Sequence, residues 1–107
     1  MPEEQPPSAE MVLRHIDGLL RRRPDRETRD FSAATRCFTA YRDHVTGRIR
    51  DKGSPPLSLE RLAKLNAVLS ALYAVHYPIG SPPWVLLEKA RDSFAALAAE
   101  FSMAGEA

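Results

Sequence analysis

The chain has 107 residues and nearly balanced charge, 15 Lys/Arg against 14 Asp/Glu for a net of +1, which suits one domain with its own core. With 44% hydrophobic and 27% charged residues it reads as globular, and its single cysteine, Cys37, excludes an intramolecular disulfide. No apolar run approaches the roughly 20 residues of a membrane span, and the acidic, proline-rich start is unlike a signal peptide, so the expected location is the cytoplasm.

Valine and isoleucine are few while alanine, leucine and arginine are many, a mix that favours helix over strand. Residues 1–7 hold three prolines and no apolar pattern, and are expected to form a flexible N-terminal tail. Ser8 then offers a cap, Glu10 faces the positive end of the helix, and Val12, Ile16, Leu19 and Leu20 fall on one face. Arg21, Arg22 and Arg23 close this helix over 8–23, Pro24 stops it, and Asp25 is the expected cap of the next.

The second predicted helix, 26–51, carries the clearest pattern: Phe31, Ala34, Phe38, Tyr41, Val45 and Ile49 step by three or four residues. Only a helix lays such a row along one face. Gly53 ends it. The third, 58–77, has a row of Leu62, Leu65, Leu69, Leu72 and His76, broadened by Leu59, Val68 and Val75 and flanked by Ala63, Ala67, Ala71 and Ala74. So much apolar girth predicts either a central helix or one covered by a second subunit, and hence a homodimer. The fourth, 81–101, steps through Leu87, Ala90, Phe94, Leu97 and Phe101, and residues 103–107 are expected to fray.

Two near-identical segments, GSPPL at 53–57 and GSPPW at 80–84, precede the last two helices. Glycine suits the left-handed residue after a helix, serine a cap, and proline the first turn, so both read as shared punctuation rather than a tandem repeat. Four helices with short connections predict an all-α, antiparallel up-down four-helix bundle, with 8–102 as a single domain.

The chemistry is sparse. His15, His44 and His76 lie on three different helices, with no H-x-x-x-H or E-x-x-H pair, and the inward rows carry no acids. Neither a metal nor any other cofactor is therefore expected. Cys37 sits beside the core row as a small hydrophobe. No G-x-S-x-G, C-x-x-C or glycine-rich phosphate loop occurs, and no catalytic residues are assigned.

Two surfaces stand out. The basic middle, residues 14–52, has 11 Lys/Arg against 6 Asp/Glu. Within it Arg21, Arg22, Arg23, Arg26 and Arg29 form a candidate anion or nucleic-acid patch, with Arg36 able to share a face with Arg22, Arg26 and Arg29. Asp25, Glu27 and Asp30 interleave with these arginines, and no aromatic residue is interleaved for base stacking. Nucleic-acid binding is accordingly expected to be weak or absent. The second surface is YAVHYPIGSPPW at 73–84, where Tyr73, His76, Tyr77, Ile79 and Trp84 form a candidate interaction surface. Trp84 is expected to anchor the turn by folding over Ile79 or against His76 and Tyr77.

These features predict a small non-enzymatic helical module that contacts a protein partner as an adaptor, regulator or accessory subunit. A nucleic-acid-associated protein using the cluster at 21–29 is the alternative. A small enzyme ranks last.

Overall fold

The computed structural model describes residues 7–24, 28–51 and 59–103. Among them are four helices and no strand: α1 (Ala9–Arg22), α2 (Arg29–Asp51), α3 (Leu59–His76) and α4 (Trp84–Met103). Each helix packs on the next, and α4 returns to α1, so the four form a ring around one core. The bundle is antiparallel throughout. The end of α1 meets the start of α2 through Arg22–Asp30 at 3.0 Å, and it meets the start of α4 through Arg23–Glu88. The start of α2 meets the end of α3 where the Phe31 and His76 rings stack at 4.8 Å.

The core follows the apolar rows. Val12, Ile16 and Leu19 of α1 and Phe31, Ala34, Phe38, Tyr41 and Val45 of α2 are all buried. So are Leu87, Ala90, Phe94 and Leu97 of α4. Aromatic rings cross between the diagonal helices α2 and α4: Phe94 meets Phe38 at 5.7 Å and Tyr41 at 5.4 Å, edge to face in both cases. Such pairs add to area burial because the positive ring edge faces the negative ring face.

In α3 the buried centre is Leu65, Val68, Leu72 and Val75, with Ala71, while Leu69 and His76 sit half-buried at its edge. Val68 and Val75, expected to broaden the row, are central, and Ala71 of the expected flank is buried with them, so the inward face is rotated accordingly. A single copy of the bundle thus buries four of the large aliphatic side chains of α3 and leaves Leu62 and Leu69 half-buried. What α3 shows outward is small or polar, Ala63, Asn66, Ala67 and Ser70, followed by Tyr73.

Beyond small differences at the ends of α3, at His76, and α4, at Met103, helix ends differ from expectation at three places, each for a local reason. The Ser8 Oγ accepts the Met11 N–H at 3.2 Å as expected, but α1 ends one residue early. Its cap, Arg23, takes a left-handed conformation at φ 41° and donates its N–H to the Leu19 carbonyl at 2.7 Å. The second helix begins at Arg29, with Thr28 as its cap: Thr28 Oγ1 accepts the Asp30 N–H at 3.3 Å. The fourth begins at Trp84, so Ser81 is not its cap and Pro82 does not open it. Ser81 and Pro82 each precede a proline, whose ring pushes the residue before it out of the helical region. Pro83 is the first residue free of that restriction, and its carbonyl accepts the N–H groups of Leu86 and Leu87 at 3.0 and 3.4 Å. The expected roles of Asp25, Gly53 and Ser58 lie outside the described residues, as do the side chains of Ile49 and Phe101.

Candidate functional site

Both candidate surfaces gather at the end of the bundle where α1 and α3 finish and α2 and α4 begin. There the rings form a run. Tyr77 stacks on His76 at 4.0 Å and 22°, His76 on Phe31 at 4.8 Å and 4°, and Phe31 contacts Trp84 at 6.2 Å and 23°. Trp84 is half-buried and packs on the core. Its ring meets Phe31 rather than folding over Ile79, which is fully exposed at 102%. Ile79 stands on the turn beside Gly80, whose φ of +85° is the left-handed bend that lets the chain reverse into α4.

The five residues of the aromatic surface therefore separate. Trp84 faces inward. Ile79 projects from the turn. Tyr73, His76 and Tyr77 line an open groove of about 450 Å³ between α3 and α2, whose other wall is Ser32, Thr35 and Arg36. The Thr35 Oγ1 is shut from the surface and has no hydrogen-bond partner among the described residues. Two further residues join Ile79: Val85 is 60% exposed and Leu86 is also largely exposed, both in the first turn of α4. They lie off the row of Leu87, Ala90, Phe94 and Leu97, so the signal was present in the sequence as two large apolar residues out of register.

The arginine cluster also divides. Arg22 pairs with Asp30 at 3.0 Å, and Arg23 pairs with Glu88 while its Nε donates to the Leu20 carbonyl at 3.1 Å. Arg21 and Arg22 line a separate recess of about 260 Å³ with Met11, Arg14, His15 and Asp30. Arg26 lies outside the described residues. Arg29 is exposed on α2 and lines a recess of about 630 Å³ with Thr28, Ser32 and Arg36, continuous with the aromatic groove through its last two residues. Neither Arg29 nor Arg36 makes an ion pair with a described residue.

Cys37 is half-buried against the core, and burial pushes its thiol above the ordinary value of 9.0. A thiol in that state is a poor nucleophile. Among the described residues no three of His, Cys, Asp or Glu are grouped so as to hold a metal ion. No described helix is long and apolar enough to cross a membrane. No protein-family model matches the chain, and neither a curated protein nor a solved structure matches it.

Proposed function

We propose that this chain is a non-enzymatic helical interaction module that contacts a protein partner through the α3–α4 turn. The carrying observation is the exposure of Ile79, Val85 and Leu86 within eight residues of one another at one end of a bundle whose other described apolar rows are buried. Exposed apolar groups on such a segment lose their contact with water when a partner covers them, which favours association by about 25 cal/mol per Å². The partner has an apolar recess that accepts Ile79 and the first turn of α4. A second copy of this chain is one form it takes.

The test places a photo-cross-linking residue at position 79 in cells. A protein captured there, and lost when Leu86→Asp is added, supports the reading. Leu86 is exposed, so that change is expected to leave the melting curve within about 0.5 kcal/mol of the parent. Capture no different from that at the exposed Glu100, or indifferent to Leu86→Asp, defeats the reading. Self-capture with a mass above 11.9 kDa in light scattering identifies the second copy as the partner.

A further inference from the structure

The basic and aromatic surfaces, distant in the sequence, share one groove. Ser32 and Arg36 of α2 face Tyr73, His76 and Tyr77 of α3 across it, and the same two α2 residues continue into the recess of Arg29 and Thr28. We propose that this α2/α3 groove binds single-stranded nucleic acid, with Arg29 and Arg36 on backbone phosphates and a base stacked on Tyr73.

Four observations carry it. First, Arg29 and Arg36 are exposed and make no ion pair with a described residue, whereas Arg22, Arg23 and Arg91 are each tied to a carboxylate. Their donors are free for phosphate oxygens, which a guanidinium binds in a bidentate fork. Second, the two arginines are seven positions apart, about two turns or 10.5 Å along the axis, and therefore on one side of α2. The Ser32 hydroxyl lies between them as a neutral donor, and Arg29 opens the helix, where the dipole adds positive potential. Third, Tyr73 is 49% exposed on the facing wall, and the adjacent Tyr77 ring is held by its stack on His76. Every base has a π-face, so stacking tolerates any sequence. Fourth, no carboxylate among the described residues lines either recess.

The openness of the groove decides between two sources of the same chemistry. A free nucleotide needs a site that encloses most of its surface. A strand can cross an open groove, because contacts on neighbouring nucleotides add. The single net charge of +1 makes the attraction local and readily screened.

The experiment follows fluorescence polarisation of a labelled oligothymidylate of about 12 nucleotides, within the usual span of such sites. Binding is expected below about 100 µM protein at 50 mM salt, the weak end of sequence-independent binding. Two phosphate contacts give a slope of log K against log salt near −1.4, at about −0.7 per contact on a single strand. Arg29→Gln with Arg36→Gln should weaken binding at least about tenfold and flatten that slope towards zero. Tyr73→Ala should weaken it about fivefold or more, and Tyr73→Phe should retain it. Arg21→Gln, in the separate recess, should change neither affinity nor slope. All these side chains are exposed, and circular dichroism checks that each variant folds. Absence of binding under these conditions overturns the proposal, as does binding indifferent to the double variant. A duplex of equal length that binds as tightly overturns the stacking role of Tyr73. Complete displacement by AMP at equal nucleotide concentration overturns the assignment to a strand and gives the groove to free nucleotides. None of these outcomes involves Ile79 or Leu86, so they leave the protein-contact reading standing or falling on its own test.

Discussion

The α1/α4 seam and the α2/α3 groove use the same side-chain type in opposite ways. Along α1/α4, Arg91 grips Asp17 with two bonds, Nε to Oδ1 at 2.8 Å and Nη2 to Oδ2 at 3.3 Å, and also reaches Asp92 at 3.2 Å. The bond to Asp17 outweighs desolvation and holds the Arg91 guanidinium pKa above its ordinary value. Nearer the end, Arg23 meets Glu88. Across the bundle, Arg29 and Arg36 face a groove that no described carboxylate lines. Exposed ion pairs contribute little stability, typically 0–1 kcal/mol. Their larger effect on α1/α4 is to neutralise arginines that would otherwise attract anions. Reading charge by composition hides this, because a paired and an unpaired arginine count alike in the sequence.

The contrast is one of surface chemistry, so the shared core should respond to neither seam. Phe94→Ala removes a fully buried ring that touches both Phe38 and Tyr41, and should cost about 3–5 kcal/mol in chemical denaturation. Trp84→Ala, at the end where both surfaces converge, should cost about 2 kcal/mol, because the ring is only half-buried. A cost within 0.5 kcal/mol would show that its contact with Phe31 anchors nothing.

Tyr41→Phe should work the other way. Its hydroxyl is buried with no partner among the described residues, and deleting such a group should stabilise the fold by about 1 kcal/mol. Burial also raises the Tyr41 pKa above 10.0, so the unfolded chain ionises first as pH rises. The fold therefore loses stability as pH rises above 10, and the phenylalanine variant should lose less there.

Smaller effects bear directly on the two seams. Arg91→Ala should cost up to about 1 kcal/mol at low salt and less at 1 M. The pair Arg29→Gln and Arg36→Gln should stay within about 0.5 kcal/mol of the parent. If that double variant is the more destabilising of the two, the arginines of the groove are structural after all and the contrast collapses.

The helical bundle was legible because its inward positions recur at helical spacing. Phe31, Ala34, Phe38, Tyr41 and Val45 are all buried where the row places them. Helix starts were less legible. Ser81 looks like a cap by residue type, but two consecutive prolines after it delay the helix to Trp84, a steric effect that acts across residues. The inward face of α3 was ambiguous since apolar residues surround it, and only its neighbours select Val68 and Val75 for the centre. The groove was not legible at all. The rings that lie among the arginines in the sequence, Phe31, Phe38 and Tyr41, belong to the core, and Tyr73 comes far later in the chain. Tyr73 comes to line one groove with Arg36 because α3 packs antiparallel to α2.

Arg23 joins the first helix to the last. A non-glycine residue in the left-handed region carries a conformational cost of roughly 1–2 kcal/mol. Here it is held by its own N–H on Leu19, its Nε on Leu20 and its guanidinium on Glu88. The last of these contacts spans 65 residues of chain. The end of α1 is thus closed partly by its own last turn and partly by α4: the first helix opens on a local cap at Ser8 and closes on a contact with the last.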